Sequence, residues 1–316
     1  MTTKPGDFVP ATGMANPHLQ TVLSSVVKKI IQPKQHAAFN AATVTEIVEI
    51  DRVRLAVNLN LQVGRPLIMI IPGWLGSANS TYVLSSASAL AEAGFSIARI
   101  NLRDHGGTAH LNKTLFNSAL IDEVIALVGA LAAEHGNGHS GLLGYSLGGN
   151  FALRIARANP ALSTLAICPA IEPAETMYRI DRNALYQRYF VRKWRQVWHE
   201  KQAAFPQSFK FADAFTLNTV SALTDYFVRY HSEFSSTAAY FQAYDLSAST
   251  LHGVQAHILA AADDPIIPAA HYKNLPSSLS VHITEHGGHA GYLNSWSLSS
   301  WADQYAINHF NSTLAN

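Results

Sequence analysis

The sequence carries a Gly-Tyr-Ser-Leu-Gly pentapeptide at 144–148 whose spacing suits a nucleophilic serine. An apolar run at 140–145 leads into Ser146, and an amphipathic stretch at 147–159 follows it. A serine at such a strand-to-helix turn takes a strained backbone, and glycines two residues to either side let the chain pass without a Cβ clash. We therefore predict that Ser146 presents its hydroxyl above a sheet edge, at a helix N-terminus. The alternative is a serine in an ordinary glycine-rich turn.

A serine hydroxyl is a poor nucleophile at neutral pH, so a base must take its proton and an acid must orient that base. Asp263 and Asp264 directly follow an apolar run at 256–261. A carboxylate at the end of such a strand can reach the same edge as the serine. We favour Asp264 because Pro265 and Pro268 would make the turn after it rigid, and Asp263 is the alternative acid.

The predicted base lies in the segment 285–291, which follows the last apolar run. Two consecutive glycines there give a flexible backbone that can turn His289 toward the serine, and His286 is the alternative base. The chain order Ser146, Asp264, His289 is that of α/β-hydrolases and differs from the orders in chymotrypsin and subtilisin.

Hydrolysis of an ester also needs hydrogen-bond donors for a developing oxyanion. We assign this role to the backbone N–H of Leu147, immediately after the serine, and to that of Trp74, in the turn 72–77 after the third predicted strand. Pro72 stands where a histidine is usual, which leaves the bracing of this turn open. Trp74 is alternatively a core aromatic residue. We also predict that Gly73 and Tyr145 contact the substrate.

Short apolar or alternating runs, separated by helical stretches, must position these groups. Strands are predicted at 43–50, 53–61, 67–71, 95–101, 140–145, 162–168, 256–261 and 279–285. Helices are predicted at 80–93, 115–135 and 147–159, and an amphipathic helix runs from Asn16 to Pro33 within an N-terminal arm of residues 1–42. The pattern predicts one α/β domain over 1–316, with a mostly parallel, eight-stranded sheet covered by helices on both faces.

One connection is too long for this alternation. About 87 residues separate the strands at 162–168 and 256–261, whereas a βαβ unit takes roughly 30. We therefore predict a helical lid inserted at about 172–240. Trp194 and Trp198 of this lid are predicted to contact the substrate.

The lid segment 179–201 has a net charge of +5 and a basic helical face that contains Arg188, Arg192 and Arg195. Its opposite face is apolar and consists of Tyr186, Phe190, Trp194, Val197 and Trp198. Such a helix is a candidate for docking on an anionic membrane or an acidic substrate group. The alternative is an apolar stripe packed on the body beneath a solvated basic face.

The composition argues against several classes of protein. Hydrophobic residues make up 48% and charged residues 14% with a net charge of +1, so a disordered chain and a nucleic-acid partner are not expected. Cys168 is the single cysteine, which excludes a disulfide framework. With no apolar signal or membrane-spanning run, we expect a cytoplasmic protein. The pairs His105 with His110 and His286 with His289 could chelate a metal, but no HExxH motif supports such a site.

Together these motifs resemble the α/β-hydrolase superfamily and, within it, the YheT-like branch of predicted carboxylic-ester hydrolases. The resemblance covers nearly the whole chain and rests on 16–21, 76–77 with 82–83, 144–150, 263–265 and 287–289. The segment 103–107 departs from the branch, because Asp104 stands in a loop that usually carries Arg-Gly.

The resemblance implies hydrolysis of an ester by Ser146, with His289 as base and Asp264 orienting it, through an acyl-enzyme and without a cofactor. Low charge and an aromatic lid favour an ester or lipid with an apolar acyl chain. The same residues could serve a thioesterase, amidase or perhydrolase. The fold could also serve a non-catalytic lipid-binding protein.

Overall fold

A computed structural model describes residues 7–27, 36–247 and 249–314. Eight strands form one sheet in the order β1-β2-β4-β3-β5-β6-β7-β8. Strand β2 is antiparallel to β1 and β4, and the remaining pairs are parallel. The strands are β1 Val44–Ile50, β2 Val53–Asn60, β3 Leu67–Ile71, β4 Ser96–Ile100, β5 Ser140–Tyr145, β6 Ser163–Ile167, β7 Ala256–Ala261 and β8 Leu279–Thr284.

Ten α-helices follow in the described ranges, together with short 3-10 and π segments. The α-helices are α1 Pro17–Val22, α2 Ala37–Ala41, α3 Thr81–Glu92, α4 Asp122–His135, α5 Leu147–Ala158, α6 Pro173–Arg182, α7 Ala184–Ala204, α8 Val220–His231, α9 Thr237–Gln242 and α10 Trp301–Leu314. Across these ranges, no helix combines the length and hydropathy that a membrane span requires.

The continuous apolar runs of the sequence become the central strands, because helices cover both of their faces. Every residue of β3, β4 and β5 is buried. In β3, Leu67, Met69 and Ile71 pack in one core with α4 and α5, whereas Ile68 and Ile70 pack in a second core with α3 and α10. This arrangement confirms the predicted mostly parallel sheet with helices on both faces.

The helix predicted at 115–135 is wrong in its first turns, since α4 begins only at Asp122. Backbone groups before that residue serve tertiary contacts instead. The Phe116 N–H donates to Asp104 Oδ2 at 2.9 Å, and the Ser118 N–H donates to Tyr240 Oη at 3.1 Å. A buried carboxylate and a buried phenol therefore override the helical periodicity of this stretch.

The predicted N-terminal helix is present as α1 followed by a π-helical turn at Leu23–Val27. Asn16 caps it as predicted, because its Oδ1 accepts the N–H groups of His18 at 3.0 Å and Leu19 at 3.1 Å. The rest of the predicted helix, to Pro33, lies outside the described residues.

Helices α6 to α9 fill the connection between β6 and β7, where the sequence predicts an insertion at about 172–240. A buried ion pair joins this insertion to the body, with Lys201 Nζ lying 2.6 Å from Asp104 Oδ1. Lys201 also donates to the Asn112 carbonyl at 2.6 Å. Lys201, one of the cations behind the net charge of the segment 179–201, is therefore buried and paired rather than exposed on a basic face.

Candidate active site

Ser146 occupies the turn between β5 and α5 with backbone angles φ 54° and ψ −116°, outside the regions that L residues favour. The flanking glycines are required sterically, as predicted. A Cβ on Gly144 would lie 2.2 Å from the Gly148 carbonyl oxygen, and one on Gly148 would lie 2.2 Å from that of Ile71. The turn therefore forces the serine into its strained conformation.

Ser146, His289 and Asp264 form one hydrogen-bonded chain. His289 Nε2 lies 2.9 Å from Ser146 Oγ, and Nδ1 lies 2.8 Å from Asp264 Oδ2. The other carboxylate oxygen of Asp264 accepts the N–H groups of Ile266 at 2.8 Å and Ile267 at 2.9 Å. Since the carboxylate can only accept, these contacts assign the imidazole proton to Nδ1 and leave Nε2 able to take a proton from the serine.

The alternative acid and base lie beside this chain without touching the serine. Asp263 Oδ1 accepts the Gly288 N–H at 2.9 Å, and Oδ2 lies 3.3 Å from His286 Nδ1. Of the two Asp–His pairs that the sequence left open, the structure brings Asp264 and His289 to Ser146. Asp263 instead holds the backbone of the histidine loop.

The loop after β3 approaches the serine closely at its second residue, Gly73. A Cβ on Gly73 would lie 3.2 Å from Ser146 Cβ. The Gly73 N–H donates to Tyr82 Oη at 3.0 Å, and burial raises the pKa of Tyr82 to about 12, so the phenol stays protonated. Gly73 and Tyr145 both line the cavity at the serine, where the sequence predicts them.

His105 holds the turn 72–77, for which the sequence analysis left the supporting contact open because Pro72 replaces a histidine. The Leu75 N–H donates to His105 Nε2 at 3.0 Å, and His105 Nδ1 donates to the Arg103 carbonyl at 2.7 Å. Burial lowers the pKa of His105 to about 4, so the imidazole is neutral and can accept this N–H. Sequence reasoning weighed His105 only as a metal ligand, and its neighbours in the chain give no signal for this contact.

The backbone N–H groups of Trp74 and Leu147 make no hydrogen bond to any described residue. They belong to the two turns that meet at Ser146, so both are available to a bound oxygen. The Trp74 ring stacks on Phe190, with centroids 5.3 Å apart, and meets Trp194 edge-on at 4.9 Å. Packing of this ring is the alternative that the sequence analysis allowed, and it leaves the backbone group free.

A cavity of about 300 Å³ opens beside the serine and is mostly apolar. Its walls include Ser146, His289, Gly73, Tyr145, Met177, Ile180, Tyr186, Tyr189, Phe190, Lys193 and Ile266. Neither Trp194 nor Trp198 lines it, contrary to the sequence prediction. Trp198 is 2% exposed and stacks on Phe211 at 5.0 Å, and Trp194 packs between Trp198 and Trp74.

Helix α7 instead turns Tyr186, Tyr189, Phe190 and Lys193 toward the cavity. Lys193 Nζ donates to the Leu75 carbonyl at 2.8 Å and lies 5.3 Å from the centre of the Tyr189 ring. Sequence reasoning missed Lys193 because it treated the lysine as part of a basic segment. The spacing 186, 189, 190, 193 was the available signal, since it marks one helical face.

Asp264 and His289 also form, with Cys168, a group of potential metal ligands found in the described part of the chain. One ligand atom of each lies within 4.8 Å of the others. Burial and the nearby Asp264 raise the pKa of the Cys168 thiol well above its usual value. A protonated thiol is a poor ligand, so these donors favour the hydrogen-bonded arrangement over a metal site.

Residues 68–306 match the family described as the Alpha/beta hydrolase family. The chain belongs to this family. It is also 23% identical over 303 residues to YheT of Escherichia coli (strain K12). The name of that relative describes it as an esterase by provisional assignment. That match covers 91% of this chain and 87% of YheT.

Solved structures share the α/β-hydrolase fold at low sequence identity. An esterase of Pyrococcus furiosus superposes with a TM-score of 0.58 at 10% identity, covering 86% of this chain and 93% of the esterase. A bacterial membrane phospholipase A superposes with a TM-score of 0.58 at 14% identity, covering 95% and 96%. The hydrolase of 2,6-dihydroxy-pseudo-oxynicotine gives 0.60 at 15%, covering 92% and 73%. These likenesses agree with the eight-stranded sheet described above.

Proposed function

We propose that this α/β-hydrolase is a serine hydrolase that cleaves carboxylic esters with apolar acyl chains. The observation that carries the proposal is the chain of contacts from Asp264 through His289 to Ser146, at the wall of an apolar cavity. Hydrogen bonding of a serine to a histidine that a carboxylate orients is the arrangement that activates a serine nucleophile.

In the proposed reaction, Ser146 Oγ attacks the ester carbonyl while His289 Nε2 takes its proton. Asp264 stabilises the resulting imidazolium through Nδ1–H. The N–H groups of Trp74 and Leu147 donate to the oxyanion of the tetrahedral intermediate. His289 then gives its proton to the leaving alcohol, which frees an acyl-enzyme. Water, deprotonated by the same histidine, releases the acid, and the reaction needs no cofactor.

The cavity walls support an apolar acyl group. Met177, Ile180, Leu185, Phe190 and Ile266 contribute hydrocarbon and aromatic surface beside the serine. Burial of a methylene group in such a site stabilises binding by about 0.8 kcal/mol. Two of the structural neighbours are named as an esterase and a phospholipase, which agrees with ester chemistry.

Labelling with a fluorophosphonate tests the nucleophile directly. We expect the wild type to be labelled at Ser146, as located by peptide mass spectrometry, and Ser146→Ala to remain unlabelled. Unlabelled wild-type protein would refute the proposal. Hydrolysis of p-nitrophenyl esters, acyl thioesters and anilides, compared in parallel, then ranks the esterase against a thioesterase or an amidase, and peroxide added to the ester assay tests perhydrolysis.

A non-catalytic lipid-binding protein on the same fold is the alternative of a different class. It would need the cavity but not the strained backbone of Ser146, nor the 2.9 Å contact of that residue with His289. If the protein had this function, the wild type and Ser146→Ala would bind fatty acids with the same affinity, and neither would turn over an ester.

We further propose that the insertion contacts anionic membranes through the exposed Arg188 and Arg192 of α7. Leu185, 54% exposed at the cavity wall, provides an apolar contact beside them. The proposed basic surface is smaller than the sequence suggests, because Arg195 binds the Leu217 carbonyl and Lys201 is buried. Co-sedimentation with vesicles should show binding to anionic but not neutral lipid, lost in Arg188→Ala/Arg192→Ala. Equal binding to both lipids, or none, would refute it.

A further inference from the structure

The loop that carries His289 is strained and requires support from outside. Ala290 and Tyr292 have φ angles of 56° and 48°, in the left-handed region, and Gly288 has a φ of 58°. Non-glycine residues persist in this region only where the surrounding structure fixes them. The contacts of this loop therefore decide where the imidazole stands.

We infer that helix α1 is the clamp of this loop and that Thr21 and Gln20 are positioning residues for His289. Both belong to the segment 16–21, which the mechanism above does not use. The inference rests on the proposed function, since it assigns a role toward the proposed base.

Helix α1 packs directly on the glycines of the loop. A Cβ on Gly288 would lie 2.5 Å from the Pro17 carbonyl oxygen, and one on Gly291 would lie 2.7 Å from that of Gln20. Glycine is needed at these positions for close approach of two backbones. Gly288 serves this close contact in addition to the turn toward His289 that the sequence predicts, since its φ of 58° lies in the left-handed region.

Two side chains of α1 hold the two ends of the strained segment. Thr21 Oγ1 donates to the Pro17 carbonyl at 2.7 Å, which leaves its lone pairs to accept the His289 N–H at 2.9 Å. Gln20 is fully buried, and its Oε1 accepts the Leu293 N–H at 2.6 Å while Nε2 donates to the Leu293 carbonyl at 3.1 Å. The backbone is thus fixed at the histidine and four residues beyond it.

The clamp is itself anchored to the body and to the insertion. Thr81 Oγ1 donates to the Ser24 carbonyl at 2.8 Å, just beyond α1. His18 Nδ1 lies 2.8 Å from Tyr186 Oη of helix α7. Because α1 is tied on both sides, it can transmit its position to the histidine loop.

Loss of the Thr21 hydroxyl leaves the His289 N–H without its acceptor and lets the strained loop relax. Neither residue of the clamp touches a reacting atom, so the expected defect is misplacement of Nε2 relative to Ser146 Oγ. A displacement of about 1 Å can slow catalysis by roughly 100-fold.

The test compares Thr21→Val with Thr21→Ser in full-length protein. We expect fluorophosphonate labelling and kcat for a p-nitrophenyl ester to fall by roughly 10- to 100-fold in Thr21→Val, with a smaller change in KM, and Thr21→Ser to restore most of the rate. Thr224→Val is the matched control, because Thr224 is also buried and donates to a carbonyl four residues earlier, at Val220, within helix α8 of the insertion. Should Thr21→Val not fold, Thr21→Ala replaces it.

The NMR resonance of the His289 Nδ1 proton gives a second readout that requires no turnover. It should move or broaden in Thr21→Val and stay unchanged in Thr224→Val. Wild-type rate and an unchanged resonance in Thr21→Val would overturn the clamp, as would an equal loss of rate in Thr224→Val. Unlabelled wild type would refute the proposed function instead, and the resonance would still decide whether α1 positions the imidazole.

Discussion

Substitution of Asp264 by Asn should nearly abolish activity while leaving the fold intact. Oδ1 of this residue accepts two backbone N–H groups, from Ile266 and Ile267, and only an oxygen can do so. In Asp264→Asn the amide oxygen must therefore stay at that position, and the NH₂ group faces His289 Nδ1. The imidazole must then accept at Nδ1 and carry its proton on Nε2, toward Ser146, where it cannot act as a base.

The magnitude follows from the reversed tautomer. An Asp-to-Asn change that fixes the wrong tautomer in a serine–histidine–aspartate site lowers kcat by about 10⁴-fold. At about 1.36 kcal/mol for each factor of ten, this is roughly 5.5 kcal/mol of transition-state stabilisation. The free energy of unfolding should change by less than about 1 kcal/mol, because no buried donor loses its acceptor.

The assay is steady-state hydrolysis of a p-nitrophenyl ester, with thermal unfolding measured on the same samples. Asp263→Asn is the matched control, because Asp263 makes one backbone contact, to the Gly288 N–H, that an amide oxygen preserves. We expect the control to retain at least about a tenth of wild-type kcat, since it leaves the tautomer of His289 unchanged. Retained activity in Asp264→Asn, with loss in Asp263→Asn, would refute this reasoning and assign the acid to Asp263.

Three further predictions concern titratable side chains. Lys201→Met leaves the Asp104 carboxylate buried without its cation and should lower the free energy of unfolding, measured by urea denaturation, by about 3–5 kcal/mol. The double variant Asp104→Asn/Lys201→Met should recover most of this loss, and a loss too small to measure in Lys201→Met would contradict the ion pair. The pKa of His105 falls from 6.5 to about 4 on burial, so the unfolded chain binds a proton at a higher pH than the folded chain, and the free energy of unfolding should decrease by up to about 3 kcal/mol as pH falls from 6.5 to 4. Urea titrations at several pH values should show that His105→Gln removes this part of the pH dependence, and an unchanged pH dependence would contradict the prediction. Lys193 is the one lysine or arginine among the described residues lining the cavity. Lys193→Met should therefore lower kcat/KM about tenfold for an ester whose acyl chain carries a carboxylate, and little for the same substrate with that carboxylate methylated. Equal losses for the two substrates would show that Lys193 only supports the Leu75 carbonyl.

Features encoded locally could be predicted from the sequence. The strand-turn-helix around Ser146 follows from an apolar run, two glycines and an amphipathic helix, all within about twenty residues. Asp264 and His289 follow from their places after the last two apolar strands, because parallel strands deliver their carboxyl ends to one edge. Backbone conformation and the spacing of buried residues along a strand or helix depend on a short stretch of sequence. They can therefore be predicted without knowing which distant segments pack against that stretch.

Contacts between distant segments were decided only in the tertiary structure. The Thr21 hydroxyl meets the His289 N–H across 268 residues, and Asp104 meets Lys201 across 97. The sequence likewise left open which side of α7 faces the cavity, because the helix is aromatic and basic around much of its circumference. Packing of the helix on the body fixed its rotation and turned Lys193 rather than Trp198 toward the cavity. The physical reason is that a side chain's partner depends on how whole elements pack. That packing minimises voids and buried polar groups without a hydrogen-bond partner over the entire chain rather than within any one segment.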